Sequence, residues 1–279
     1  MSIKIVTDST ADLSTEEIKK LDIHVIPLSI SIGGETFLDR VDITPEQFLE
    51  KMKSADELPK SSQPAVGKFV ELYENLGADG SEILSIHMTG GMSGTVEAAR
   101  SAAEMVSVPV TVVDSEFISK ALAFQVEEAA RLASEGKTLK EILAAIEKVR
   151  EHTKLYVVVD TLENLAKGGR IGKGRAMIGS LLNIKPIAML KEGVYSPVAK
   201  VRSHSQVVKY VIKHFTEDIQ GKTLKSVALT HAEGLELASR IKEEIISLTG
   251  IHEVSISATT PVISTHTGIG AIGFSYYTE

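Results

Sequence analysis

The 279-residue chain contains no cysteine and no tryptophan, and aromatic residues make up only 5% of it. Without cysteine there can be no disulfide, thiolate zinc site, iron–sulfur cluster or thiol nucleophile. The sparse aromatics argue against a platform that stacks nucleic-acid bases. Basic charge is also short: the formal net charge is −7, whereas sequence-independent nucleic-acid binding needs an extended basic surface. No apolar run approaches the ~18 residues of a membrane-spanning helix. The opening "MSIKIVTDST" lacks the basic and apolar regions of a secretory leader. A cytoplasmic location is therefore expected, with no nucleic-acid partner. Three catalytic patterns are missing as well, H-E-x-x-H, H-x-H and G-x-S-x-G. Neither a catalytic residue nor a metal site or cofactor is expected.

What is present is ordinary in amount and regular in order. Apolar residues are 43% and charged residues 24% of the chain, as in globular proteins. In the first half, strand-like runs alternate with helix-like ones. "IKIVTD" (3–8) reads as a strand. "STEEIKKL" (14–21) follows, with Ser14 and Glu17 spaced as a capping box. "HVIPLSISIGG" (24–34) reads as a second strand, with "GETFLDRVD" continuing it as a hairpin. Thr44 before Pro45 starts a helix, 54–64 reads as a polar loop, and 65–76 has helical spacing. "EILSIHM" and "PVTVVDS" read as further strands, each followed by helical segments. Such alternation predicts a parallel sheet flanked by helices. The second half, from "KLYVVVD", holds a hairpin over 185–201, helices over 203–219 and 235–248, and strands over 226–232 and 253–259, before what reads as a final strand. This predicts a mixed sheet with helices. The expected organisation is two α/β domains, residues 1–152 and 153–279.

Several loops carry hydroxyls where a parallel sheet places its binding edge. "TGGMSGT" (89–95) turns a strand into a helix that begins near Ser93 or Thr95. Free N–H groups at such a start favour an anion, although Ser93 could equally cap the helix. The glycine spacing fits neither a P-loop nor a dinucleotide fingerprint. "TDSTADLS" offers Asp8, Ser9 and Thr10, and "KSSQP" (60–64) offers Ser61 and Ser62. Asp8 and Asp114 each end a strand before a serine, a position that suits Mg²⁺ or a simple cap. The last 21 residues place His266 among Ser264, Thr265 and Thr267, ahead of Gly268 and Gly270. Lys167, Arg170, Lys173 and Arg175 form a local basic patch, suited to phosphate or an acidic partner.

Taken in order, "VTDSTADL", "SSQP", "GGMSGT", "VVDS", "TLENLAKGGRIG", "NIKPI" and "TTPVISTHTGIGAIGF" span nearly the whole chain. Together they resemble the DegV family of bacterial fatty-acid-binding proteins, the acyl-carrier component of a two-part fatty acid kinase. One departure is Ile269, where the family usually has proline; another is Ser61, where threonine is common. The resemblance implies a long-chain fatty acid lying in an apolar tunnel between the two domains. Its carboxylate would be held by Ser62, Ser93 and His266, with Ser61, Gly94, Thr95 and Thr265 as further candidates. The held acid would be presented to a kinase that brings ATP and makes an acyl phosphate for phospholipid synthesis. Arg170 would lie on the face that docks the kinase, and transient contact with a membrane or an acyltransferase would follow. The competing reading is an enzyme that takes a small carbonyl substrate on His266, as in dihydroxyacetone kinases.

Overall fold

The computed structural model describes residues 2–177 and 184–279. Asn183 of the "NIKPI" motif lies outside them. In the first half, four strands form a fully parallel sheet, in the order β2 (Ile23–Ile26), β1 (Ile3–Asp8), β6 (Glu82–His87), β7 (Val110–Asp114). Between β2 and β6 the chain builds a separate antiparallel sheet of β3 (Ser29–Ile32), β4 (Glu35–Leu38) and β5 (Lys60–Ser62). The stretch 24–34 is therefore two strands in two sheets. Pro27 has no N–H to give a ladder, and the next amide, of Leu28, donates to Ser9 Oγ at 3.2 Å. The expected polar loop at 54–64 ends in β5, which pairs with β3 and fixes Ser61 and Ser62 on a sheet edge.

From Thr153 onward a six-stranded mixed sheet runs β10 (Val194–Val201), β9 (Lys185–Lys191), β8 (Thr153–Val158), β13 (Ile272–Thr278), β11 (Leu224–His231), β12 (Ser255–Ala258). Only β11 and β12 pair in parallel. Successive strand residues face opposite sides of a sheet, and β8 uses this to serve two cores. Tyr156 and Val158 pack with the helices α8 (His204–Ile219) and α9 (Leu235–Thr249). Leu155, Val157 and Val159 join the largest apolar cluster, which also holds Ile5, Leu84 and Ile86 of the parallel sheet. The long helix α5 (Ser119–Ser134) lies in that shared core through Ala121, Leu122 and Val126.

The remaining helices are α1 (Thr15–Lys20), α2 (Pro45–Ser54), α3 (Val66–Gly77), α4 (Thr95–Ala103), α6 (Leu139–His152), α7 (Glu163–Lys167) and α10 (Pro261–Thr267). Capping boxes start three of them: Ser14 with Glu17, Thr44 with Gln47, and Thr138 with Glu141. The terminal segment is not simply a loop and a strand. Thr260 caps and Pro261 opens α10, so His266 sits in the last turn of a helix ahead of β13. Among the described residues no helix is long and apolar enough to cross a membrane.

Candidate functional site

The parallel strands β1, β6 and β7 all end toward the second half of the chain. Their loops meet β5, α10 and the face of β8 that carries Val157. Between them lies a cavity of about 260 Å³. Its walls are mostly apolar and come from both halves: Leu28, Met88 and Ile118 on one side, Val157, Leu190 and Val262 on the other. Ser61, Ser62, Ser93, Arg170 and His266 add polar groups to the lining. A polar basin of about 470 Å³ lies beyond, lined by the exposed Lys60 and Lys167 among others. Ser61, Arg170 and His266 line both spaces, so they stand at the junction of apolar cavity and polar basin.

The junction is assembled from distant segments. Ser61 Oγ lies 2.7 Å from His266 Nε2, joining β5 to α10. Burial, aided by the positive charge of Arg170, holds the His266 pKa down near 4. The ring is therefore neutral at neutral pH and can either donate to or accept from its neighbours. Gly168 lets the imidazole in, because a Cβ there would come within 2.3 Å of Nδ1. Arg170 is steered by two carbonyls: Nε donates to Met92 at 3.0 Å and an Nη donates to Gly168 at 2.6 Å. Its guanidinium is the fixed positive charge beside the neutral imidazole. Arg170, expected on a partner-docking face, lines the cavity beside the serines and the imidazole.

In the glycine loop Ser93 is not the helix cap, because the helix begins at Thr95 and the N-cap position falls on Gly94, which carries no side-chain capping bond. Ser93 Oγ contacts Thr95 Oγ1 at 2.8 Å and accepts from the Thr95 amide at 3.3 Å, while still lining the cavity. Thr95 is fully buried and orients Ser93 without lining the cavity. Gly94 packs against Gln63, whose side chain would collide with a Cβ there. Gln63 also lines the cavity, a residue the sequence reading did not single out. Thr265 Oγ1 donates back to the Pro261 carbonyl at 2.9 Å, and the residue lines only the polar basin. Asp8 and Asp114 are occupied structurally. Asp8 accepts from the amides of Thr10 and Met88 and faces His87, and Asp114 accepts from those of Gly90 and Glu116. Among the described residues, no cluster of three His, Asp or Glu side chains could hold a metal ion.

The helix that carries His266 is anchored from the other half of the chain. Asp12 sits in the left-handed region at φ 53° and is buried. Its carboxylate accepts from Ser119 Oγ at 2.5 Å, Thr259 Oγ1 at 2.8 Å and the Thr260 amide at 2.8 Å. One side chain thus ties the starts of α5 and α10 together. Nothing in the sequence pattern singled it out; its partners lie 107 to 248 residues away.

Comparison with known proteins bears on this geometry. A model of the DegV family, described as an uncharacterised protein family, matches residues 2–279. The DegV domain-containing protein lin1977 of Listeria innocua is 48% identical over 278 residues, covering 99% of each chain. A DegV family protein from Thermus thermophilus, described with its fatty-acid binding, superposes with a TM-score of 0.94 at 32% identity over both whole chains. DegV from Bacillus subtilis, described as a fatty acid binding protein, gives 0.92 at 35% identity, again over both whole chains.

Proposed function

Since the chain belongs to the DegV family, we propose that it carries a long-chain fatty acid in the interdomain cavity and presents the carboxylate to a fatty acid kinase. The observation that carries this reading is the junction itself. An apolar cavity opens, past Ser61, Arg170 and His266, onto a polar basin at the surface. That is the shape and polarity gradient of an amphiphile with one charged end.

Chain and head group have separate tasks. Each buried methylene contributes roughly 0.8 kcal/mol, so a sixteen-carbon chain offers on the order of 12 kcal/mol before association costs. The head group needs partners, because a buried carboxylate without them is heavily penalised. Arg170 supplies the opposite charge, and Ser62, Ser93 and the Ser61–His266 pair supply hydrogen bonds. Because His266 is neutral, it binds without adding a second fixed ion pair, and one carboxylate oxygen stays available. The kinase brings the nucleotide: that oxygen forms a bond to the terminal phosphorus as the bond to the nucleotide diphosphate breaks, giving an acyl phosphate. Lys60, Lys167 and Arg170 line the basin against one carboxylate, Glu57, and although Lys167 also pairs with Glu163, the excess of basic groups suits a partner that carries phosphate.

Solvent extraction and mass spectrometry of the purified protein test the cargo. A long-chain acid is expected at near-stoichiometric amount, and delipidated protein should rebind one in calorimetry. If neither extraction nor rebinding finds an acid, the reading fails. Adding a fatty acid kinase and ATP to the loaded protein then tests presentation, with acyl phosphate as the readout.

A further inference from the structure

The cavity wall contains a buried polar group that neither the head-group site nor the described fold contacts use. Tyr195, on β10, is 1% exposed and lines the cavity. It pairs across the β10–β9 ladder with Leu190, which lines the same cavity. Its hydroxyl is buried and has no hydrogen-bond partner among the described residues. Burial pushes the phenol's pKa above the ordinary tyrosine value, so the group is a neutral O–H able to donate once. Phenylalanine would fill the same wall without burying an unpaired hydroxyl, a burial that is costly in itself.

The surroundings admit this ring closely. Gly174 lies where a Cβ would sit 3.1 Å from Tyr195 Cε1, and Gly172, at φ +50°, where a Cβ would sit 2.7 Å from the Tyr195 carbonyl oxygen. Two glycines of the "GGRIGKG" stretch thus make room for Tyr195, a use of that motif separate from its basic residues.

We propose that Tyr195 reads an oxygen atom on the hydrocarbon chain, so that the cavity selects a long-chain acid bearing a hydroxyl or keto group over the unsubstituted acid. This rests on the carrier reading above and names its substrate class. The chain oxygen accepts the phenolic O–H and repays the desolvation of that hydroxyl; a plain methylene at the same place leaves it unpaired. Sites built to hydrogen-bond a substrate group discriminate against analogues that lack it, because the site's own polar atom is then stranded. Two other polar residues outside the head-group site line the cavity: Thr267, whose Oγ1 already donates to the Ile263 carbonyl at 3.0 Å, and Gln63, which is exposed. Only a substituent at the matching distance from the carboxylate benefits.

The test is direct binding of octadecanoic acid and of a panel of its monohydroxy isomers, substituted at successive positions from the carboxyl to the methyl end. Wild type is expected to bind at least one isomer about tenfold more tightly than the parent acid. In Tyr195→Phe, checked for folding by circular dichroism and thermal melting, the ratio of those two affinities should fall to about one. A crystal of wild type with the preferred isomer should place the chain oxygen within hydrogen-bond distance of Tyr195 Oη. If no isomer beats the parent acid, or if the preference survives in Tyr195→Phe, the inference is overturned while the carrier reading stands. If no acid of either kind binds, both fall.

Discussion

At the residue scale, His266 and Asp39 bend the stability profile in opposite directions. His266 has its pKa lowered from 6.5 to about 4. The unfolded chain therefore binds more protons than the folded one between those values, and stability rises with pH across that window. Asp39 is 1% exposed, and burial, together with the charge of Asp12, raises its pKa from 3.8 to about 7. Its contribution is present at low pH and is lost as pH climbs through 7. In urea titrations, His266→Gln should flatten the acid side of the profile. Asp39→Asn should instead gain stability over wild type as pH rises toward 8, by roughly 1–3 kcal/mol. An Asp39→Asn curve that runs parallel to wild type at every pH would rule this out. NMR of the imidazole should show His266 titrating near 4 without ligand and higher once a carboxylate is bound, since a nearby negative charge favours the protonated ring. Gly168→Ala puts a methyl 2.3 Å from Nδ1 of that ring and 2.9 Å from the Asn164 carbonyl. Fatty-acid affinity should drop by about tenfold and the melting temperature should fall as well, because both the buried ring and the backbone must shift to admit the methyl.

At the element scale, α10 decides what the site can do. It was also the least legible element. Its residues "PVISTHT" are rich in β-branched side chains, which read as extended. The usable signal was Thr260–Pro261, the same cap and first-turn pair as Thr44–Pro45 in α2. By contrast, α5, α6, α8 and α9 announced themselves by period, and the parallel sheet by its apolar runs. The serine loops were visible because hydroxyls beside glycines at strand ends are unusual. The place of Arg170 in the cavity wall was not, since its contact to Met92 spans 78 residues and no local pattern encodes it. Anchoring of α10 yields two expectations in denaturant unfolding. Thr260→Ala removes the cap accepted from Ile263 at 3.4 Å and should cost about 1 kcal/mol. Asp12→Asn weakens three buried hydrogen bonds and should cost about 2–3 kcal/mol. It should also shift the His266 resonances, though Asp12 is bonded to the other end of the helix.

At the scale of the whole molecule, the two halves share one interior. The alternating faces of β8 feed two apolar clusters, and the larger one includes strands and helices from both sides of residue 153. A ligand in the cavity touches both halves as well, so it should stabilise the folded chain as a unit. At a free concentration a hundredfold above the dissociation constant, linkage gives about 2.7 kcal/mol. For a chain of this size that is a rise of about 5 °C in melting temperature, read by differential scanning calorimetry with and without fatty acid. Two separate transitions, only one of which moves, would contradict the shared interior. The brevity of α10 has its own consequence. Val262 and Ile263 line the cavity, while His266, about 6 Å further along the same axis from Val262, stands at its junction with the basin. A rod so short has little room to flex between those points, so a displacement of Val262 or Ile263 would be passed along it to the imidazole ring.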